Sequence, residues 1–135
     1  MSPQLKKVLI ADDKSAIRSA LKLFLNQRSD LELCGEASDG MEAVEKARIC
    51  KPDLILLDVS MPVMNGIQAA SILKRLLPES AIILFTMYSD NIRAALSSAL
   101  GVDAVLAKPD GLDALSETID KVMARYFPSP IPDSI

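Results

Sequence analysis

Short apolar runs alternate along the chain with longer segments in which apolar residues recur every three or four positions. The short runs are rich in branched side chains and have the length of β-strands. There are five of them, at residues 8–11, 31–37, 54–57, 81–86 and 104–107. Three of these runs are almost wholly apolar, as strands covered on both faces are. The second run alternates more between apolar and polar residues, so it is predicted to be an edge strand.

The longer segments predict a helix after each strand. These helices span residues 15–27, 41–49, 67–77, 90–100 and 112–126. Pro78 and Gly101 end the third and fourth of them, because proline and glycine at these points favour helix termination. Strand and helix patterns that alternate in this way are typical of βα units in a parallel sheet. The predicted fold class is therefore α/β, a doubly wound five-stranded parallel sheet of the form (βα)5.

Length and composition indicate one compact domain. The chain has 135 residues, of which 50% are hydrophobic, 24% charged and 4% aromatic. A chain of this length buries most of its apolar surface around a single core. Three prolines within residues 127–135 prevent the last helix from continuing. We therefore expect one domain over residues 1–126 and a proline-rich tail, or the beginning of a linker, over residues 127–135.

Charge and residue inventory argue against several classes of function. The net charge is −3 and the pI is about 4.9, so no positive field gathers nucleic acid or anionic lipid. The absence of histidine and of a C-x-x-C pair argues against zinc sites, Cys–His pairs and Ser–His–Asp triads. No apolar run approaches the roughly 18 residues of a membrane span, and the N-terminus lacks a signal-peptide pattern. We expect neither nucleic-acid binding nor membrane association by this chain.

The two cysteines, Cys34 and Cys50, lie in apolar or helix-like contexts. One disulfide between them is conceivable, but buried and reduced cysteine is the favoured interpretation. Reduced thiols in turn predict a cytoplasmic location.

Polar residues follow the predicted strands where each strand ends. Asp12 and Asp13 follow the first strand, Asp58 the third and Lys108 the fifth, while Thr86 closes the fourth. Ligands of an open parallel sheet bind beyond the carboxyl ends of its strands, where these side chains meet. The alternative interpretation, solvated loop residues with a surface ion pair, explains one such residue better than five at the same edge.

Three carboxylates brought together repel one another unless a hard cation offsets their charge. Mg²⁺ is the predicted ion, with Asp13 and Asp58 as direct ligands and Asp12 acting through water. An aspartate held beside Mg²⁺ and a lysine is able to attack a phosphoryl group, since metal and ammonium neutralise the transferring oxygens. Asp58 is the predicted nucleophile and Lys108 the ammonium.

Over about residues 7–126 the chain resembles the receiver domains of two-component response regulators. The motifs that carry the resemblance are VLIADD at residues 8–13, DVSMPVMNG at 58–66, FT at 85–86 and KP at 108–109. The resemblance implies a flavodoxin-like fold with strand order 2-1-3-4-5. The string FTMY at 85–88 is similar to receivers that carry a C-terminal helix-turn-helix domain. The sequence leaves open whether the chain is a stand-alone receiver or part of a longer regulator.

The resemblance also implies a role for each site residue. Asp58 would accept phosphate from the phosphohistidine of a sensor histidine kinase, or from a small donor such as acetyl phosphate. Asp12, Asp13 and the backbone carbonyl of Ser60 would hold Mg²⁺ together with Asp58. Lys108 would pair with the phosphoryl oxygens, and the Thr86 hydroxyl would move inward to meet them.

As a conformational switch, such a chain is not an enzyme beyond self-phosphorylation and autodephosphorylation. Phosphorylation-dependent homodimerisation is a further expectation of the resemblance.

Two places depart from the family's common pattern. Val105 stands where many receivers have a tyrosine or phenylalanine that rotates on phosphorylation. Met87 and Tyr88 make the segment after Thr86 bulkier than usual. One hypothesis is that Met87 or Tyr88 tunes the lifetime of the phosphate or access to it; the alternative is ordinary surface packing. Pro62 and Gly66 fit turn-forming roles; Gly66 supplies either a positive φ or room for the backbone.

Three other functions compete with this interpretation. Aspartyl-phosphate phosphatases and phosphotransferases usually need a second acid two residues after the nucleophile, where this chain has Ser60. Nucleotide-binding modules need a glycine-rich loop after the first strand, where this chain has Asp12-Asp13-Lys14. The third is a pseudo-receiver that binds partners constitutively and never takes phosphate.

Overall fold

The computed structural model describes residues 5–86, 101–107 and 111–127. The described part is a five-stranded parallel sheet in the order β2-β1-β3-β4-β5, with helices on both faces. The strands are β1 (Lys6–Ala11), β2 (Leu31–Ala37), β3 (Leu54–Asp58), β4 (Ala81–Thr86) and β5 (Ala104–Ala107). The helices are α1 (Ser15–Asn26), α2 (Gly40–Cys50), α3 (Gly66–Leu76) and α4 (Gly111–Tyr126).

The predicted α/β fold class and its strand order are confirmed. The edge position predicted for the second strand is also confirmed, because β2 pairs with β1 alone among the described strands. Element boundaries agree to within two residues; β1 begins earlier, at Lys6, and β3 extends to include Asp58. The helix predicted over residues 90–100 lies outside the described residues.

Alternate strand residues point to opposite faces of the sheet, which produces two hydrophobic clusters. The first packs against α2 and α3, and its large sheet residues are Leu9, Ile55, Leu57, Ile82 and Leu84. The second packs against α1 and α4, and its sheet residues include Val8, Ile10, Leu54, Leu56 and Ile83. The three inner strands are buried on both faces, which is why their sequences are almost continuously apolar.

Two helices that lead away from the sheet's carboxyl edge begin with side-chain caps. The Asp39 carboxylate accepts the backbone N–H of Glu42 at 2.8 Å in α2. Asn65 and Gln68 form a capping box in α3, in which each side chain accepts the other residue's backbone N–H. Such caps satisfy N–H groups that have no partner within the helix and fix where it starts.

Oppositely charged side chains join elements at the other end of the sheet. Arg28, after α1, contacts both Asp30 and Asp120 at 2.8 Å, which links the start of β2 to α4. Lys74 of α3 lies 3.9 Å from Asp103, whose carboxylate also accepts the backbone N–H of Ile82 at 2.8 Å.

Among the described residues, no helix has the length and apolar character needed to cross a membrane.

Candidate functional site

Strand register brings the acidic residues together at the carboxyl edge of the sheet. Ala11 pairs with Leu57, so Asp12 and Asp58 follow side by side at the ends of β1 and β3. Thr86 closes the neighbouring strand β4. Asp12, Asp58 and Thr86 are each only 2% exposed. The structure thus places these three residues at neighbouring strand ends on one edge of the sheet.

The three aspartates form a group able to hold a cation. One carboxylate oxygen each from Asp12, Asp13 and Asp58 lies within 4.8 Å of the others. Asp13 is the exposed member, and the ammonium of Lys14 lies 3.7 Å from its carboxylate. An all-oxygen donor set of carboxylates suits a hard divalent cation such as Mg²⁺, which also keeps water ligands on its open side. The residues present therefore fit the predicted ion.

Backbone and side-chain hydrogen bonds hold Asp12 in place. Its Oδ1 accepts the backbone N–H of Lys14 at 2.9 Å, and its own N–H donates to the Ala37 carbonyl at 3.0 Å. The Arg18 guanidinium donates to the Asp12 carbonyl at 2.7 Å and to Glu36 at 2.8 Å. Sequence reasoning missed this positioning role of Arg18, because nothing in its spacing along α1 singles it out.

Glu36 of β2 accepts hydrogen bonds from two cations of α1. Lys22 and Arg18 contact its two oxygens at 2.9 and 2.8 Å. These hydrogen bonds, that from Lys22 first, lower the pKa of the Glu36 carboxyl below its ordinary value of 4.5. Because Arg18 also binds Asp12, the ion pair connects the edge strand to the first acidic residue of the site.

The segment after β3 wraps closely around Asp58. The Ser60 N–H donates to Asp58 Oδ1 at 3.3 Å, and the Gly66 N–H donates to the Val59 carbonyl at 2.8 Å. A Cβ on Gly66 would lie 2.0 Å from the Asp58 backbone oxygen, and the φ of Gly66 is not positive. Of the two sequence interpretations of Gly66, room for the backbone is therefore the correct one.

One residue in this segment has a strained backbone. Val63 adopts φ 66°, a left-handed conformation that residues with branched side chains rarely take, and the residue is 76% exposed. The neighbouring Met64 carbonyl accepts the Gly40 N–H at 2.8 Å, where α2 begins. The β3–α3 connection is thus joined to α2 as well as to the strand that precedes it.

An open cavity of about 440 Å³ has Asp13 and Ser60 in its wall. The rest of the lining is Val59, Met61, Pro62, Asn65 and Ile67. Ser60 is exposed, so the chain between β3 and α3 forms one side of the entrance. Sequence reasoning had assigned no lining role to Met61, Asn65 or Ile67, although all but Ile67 lie within the motif at residues 58–66.

The remaining site predictions have mixed outcomes. Lys108, Met87 and Tyr88 lie outside the described residues, so their predicted roles stay predictions. Val105 lies in β5 opposite Leu84, half-buried against the cluster on the α2 and α3 side of the sheet. The position of the family's common aromatic residue is therefore occupied by a packed aliphatic side chain.

Comparison with known families decides what this arrangement is. Residues 8–120 match the response regulator receiver domain. The chain belongs to the response regulator receiver family. The matched range of this receiver contains all three aspartates, Ser60 and Thr86. Receivers are signalling domains of phosphorelays; they interact with sensor histidine kinases and bind Mg²⁺ at an acidic pocket, and the Asp12, Asp13 and Asp58 cluster has that composition.

Two of the proteins that are similar to this receiver have longer chains. A protein-glutamate methylesterase/protein-glutamine glutaminase of Pyrococcus horikoshii is 34% identical over 122 residues, covering 88% of this chain and 33% of that protein. The response regulator protein VraR of Staphylococcus saprophyticus is 34% identical over 115 residues, covering 85% of this chain and 55% of VraR. The receiver thus spans about a third to a half of the length of these relatives.

A solved structure shares the same fold. The REC domain of AraT, a response regulator from Geobacillus stearothermophilus, superposes with a TM-score of 0.80 at 34% sequence identity. The match covers 90% of this receiver and 95% of that chain. The strand order of the described sheet is therefore that of the CheY-like, flavodoxin-like receivers.

Proposed function

We propose that this receiver is a phosphoacceptor switch in which Asp58 takes a phosphoryl group from the phosphohistidine of a sensor histidine kinase. Acetyl phosphate or a similar small donor would serve as well. The main support is the buried Asp58 carboxylate, which lies within 4.8 Å of Asp12 and Asp13 at the carboxyl edge of the sheet. Burial with two further carboxylates is costly for stability, so the arrangement favours a functional role over a structural one.

The proposed step is a direct transfer between two nucleophiles. A carboxylate oxygen of Asp58 attacks phosphorus, while the bond between phosphorus and the donor's imidazole nitrogen breaks. That nitrogen leaves with the bonding electron pair and becomes neutral imidazole on protonation. The Ser60 N–H holds Asp58 Oδ1 and thereby fixes the plane of the attacking carboxylate. Water later attacks phosphorus, which restores Asp58 and releases inorganic phosphate.

Mg²⁺ is the proposed cofactor; Asp13, Asp58 and the backbone carbonyl of Ser60 would hold it directly, and Asp12 would act through water. When bound, it supplies neutralising charge for the phosphoryl oxygens during transfer. The Arg18 and Lys14 hydrogen bonds keep Asp12 oriented toward this position. Asp13, on the exposed side, leaves the cavity beside Ser60 open to the donor.

We propose that Lys108 and Thr86 contact the phosphoryl group and couple its presence to a change in shape. The ammonium of Lys108 would pair with its oxygens, and the Thr86 hydroxyl would turn inward to donate a hydrogen bond. The chain after Thr86 would follow this movement and change the surface offered to partners. With no substrate turned over except its own phosphoryl group, the chain acts as a switch, with at most self-phosphorylation and autodephosphorylation activity.

The domain bounds, location and partners of the chain are also proposals. The receiver unit would occupy residues 1–126, with a tail at 127–135. Phe127 still contacts the start of β1, because the centroid of its ring lies 3.9 Å from the Lys6 ammonium. A cytoplasmic location would give access to a sensor histidine kinase. Phosphorylation-dependent homodimerisation and the absence of nucleic-acid binding by this chain stay predictions, to be checked by light scattering with beryllium fluoride and by gel shift.

Intact-mass measurement tests the central proposal. The protein is incubated with acetyl phosphate and Mg²⁺, and the same reaction is run with Asp58→Asn and with Asp30→Asn. Asp30 is a matched control because it is an exposed aspartate at the opposite edge of the sheet. We expect one phosphoryl adduct on the wild type and on Asp30→Asn, none on Asp58→Asn, and none when Mg²⁺ is chelated.

Beryllium fluoride, a stable mimic of the phosphoryl group, distinguishes a phosphoacceptor from a pseudo-receiver. If folded wild-type protein neither gains an adduct from acetyl phosphate nor changes its circular dichroism spectrum with beryllium fluoride and Mg²⁺, the phosphoacceptor proposal is wrong. The pseudo-receiver that binds partners constitutively would then be the better description.

A further inference from the structure

The two cysteines of the chain meet at the edge of the sheet. Cys34 lies in the edge strand β2 and Cys50 is the last residue of α2, and their Sγ atoms are 2.6 Å apart. Each cysteine is half-buried, where the sequence had predicted buried residues. A disulfide has its sulfurs about 2.05 Å apart, so the pair is within roughly half an ångström of bonding distance.

A bulge in β2 places Cys34 at this position. Val8 pairs with Leu33 and the next residue, Leu9, pairs with Gly35, so Cys34 is the extra residue of the strand. A bulge lets two consecutive side chains point to the same face. Cys34 packs against the cluster on the α2 side, and a Cβ on Gly35 would also point toward α2, at Leu9 and Lys46. The bulge thus keeps the cysteine directed at α2.

The end of α2 places the second sulfur. Lys51 follows Cys50 with a left-handed φ of 48°, and its N–H donates to the Ala47 carbonyl at 2.8 Å, which closes the helix. The ammonium of Lys7 donates to the Cys50 carbonyl at 2.8 Å and so fixes this residue to β1. Both sulfurs are therefore carried by anchored backbone, a bulged strand and a closed helix end, rather than by loops.

We propose that Cys34 and Cys50 form a reversible intramolecular disulfide when the protein meets a hydroperoxide. One thiolate attacks the terminal peroxide oxygen, the O–O bond breaks, and a sulfenic acid forms with release of an alcohol or water. The second sulfur then attacks the sulfenic sulfur, and the hydroxyl leaves as water with the second thiol's proton. Two thiols are oxidised by two electrons and the peroxide is reduced; a dithiol restores the original state.

The surroundings of Cys34 slow its reaction with peroxide. Burial first, and then the hydrogen bond and charge of Cys50, raise the pKa of the Cys34 thiol to about 12. Thiolate, not thiol, is the nucleophile, so the first attack by Cys34 on peroxide should be slow. Whichever sulfur is oxidised first, the other is already in contact with it and is placed to attack the sulfenic sulfur.

The disulfide site is independent of Asp58. α2 runs from Gly40, beside the Met64 carbonyl near the carboxyl edge, to Cys50, beside Lys7 at the beginning of β1. Oxidation would link β2 to the far end of α2 across 16 positions of sequence. We therefore expect a more stable edge strand with an unchanged acidic site.

The test compares mass and stability before and after oxidation. Folded, reduced protein is treated with hydrogen peroxide at a low molar excess and then denatured in the presence of an alkylating agent. We expect the loss of two hydrogen atoms, no alkylation and one cross-linked peptide that contains both cysteines, all reversed by dithiothreitol. The thermal unfolding midpoint should rise by on the order of 5 °C or more on oxidation, because the cross-link restricts the unfolded chain.

Single variants provide the control. Cys34→Ser and Cys50→Ser should each fail to form the intramolecular disulfide, and the remaining cysteine should be recovered either as a trappable sulfenic acid or as an alkylated thiol. Peptide mapping of the wild type needs no variant, so the result holds even if a serine variant is unstable. Two alkylated cysteines in peroxide-treated wild type, or linkage only between two chains, would overturn the proposal.

Discussion

The two edges of the sheet differ in how closely they gather carboxylates. At the carboxyl edge, Asp12 and Asp58 are buried with like charges nearby, and one oxygen from each of Asp12, Asp13 and Asp58 lies within 4.8 Å of the others. At the amino edge, carboxylates lie next to cations, as Asp30 does beside Arg28 and Asp103 beside Lys74. The ion pairs at the amino edge favour the folded state, whereas carboxylates gathered at the carboxyl edge repel one another, a cost that the proposed cation and phosphoryl site would carry.

The largest expected effect is the loss of unfolding free energy when alanine replaces a glycine at a crowded position, compared with the same change at an open one. In Gly66→Ala the new Cβ would meet the Asp58 backbone oxygen at 2.0 Å, so strand or helix must move. We expect a loss of about 3 kcal/mol or more in unfolding free energy. Urea denaturation monitored by circular dichroism provides the measurement, and phosphoryl labelling of Asp58 should fall in parallel.

Gly101→Ala is the matched control for that change. Gly101 has φ +67°, but no atom of the described residues would lie within 4 Å of an added Cβ, so only backbone strain opposes the methyl group. The expected cost is about 1–2 kcal/mol, with phosphoryl labelling unchanged. Equal losses for the two variants would show that the contact between Gly66 and Asp58 is not the limiting one.

Neutralising one aspartate at each edge should change stability in opposite directions. Asp58→Asn relieves like-charge repulsion and keeps an oxygen for the Ser60 N–H, so in EDTA we expect a gain of about 1 kcal/mol. Asp103→Asn weakens the contact with Lys74 and the hydrogen bond from Ile82, at a cost of about 2 kcal/mol. Denaturant unfolding of both variants beside the wild type measures the difference.

Adding Mg²⁺ to the same three proteins tests the comparison between the two edges further. A ligand that binds the folded state raises the unfolding free energy, so Mg²⁺ should stabilise the wild type and Asp103→Asn alike. It should have little effect on Asp58→Asn, which lacks one carboxylate of the site. A loss of stability for Asp58→Asn in EDTA would mean that the carboxylate is structurally required and that the contrast between the edges is wrong.

Periodicity in the sequence predicted the fold well because the physics involved is local. Strand runs such as residues 54–57 are apolar at every position, and the strand ends alone placed Asp12, Asp58 and Thr86 at one edge. The position of that edge follows from the parallel topology, so it needs no knowledge of tertiary contacts.

Features that depend on contacts distant in sequence could not be predicted. The bulge at Cys34 depends on how β2 pairs with β1, and the contact of Cys34 with Cys50 depends on the packing of α2. The need for glycine at position 66 arises from the approach of the Asp58 backbone, which no propensity encodes. Arg18 likewise acquires its positioning role only where α1 packs beside β2.

The ion pair that joins α1 to β2 should produce the smallest effect, and one that depends on pH. Lys22 and then Arg18 lower the folded-state pKa of Glu36 below 4.5, so its contribution is present above that value and is lost as pH falls through the lowered pKa. At about pH 7 we expect Glu36→Gln to cost roughly 0.5 kcal/mol, since the pair is partly exposed. Urea titrations at about pH 7 and about pH 3 should show the difference between variant and wild type shrinking at the lower pH. A difference that persists at low pH would assign the effect to the shape of the side chain rather than its charge. In either case the phosphoryl labelling of Asp58 should change little, because Arg18 still donates to the Asp12 carbonyl.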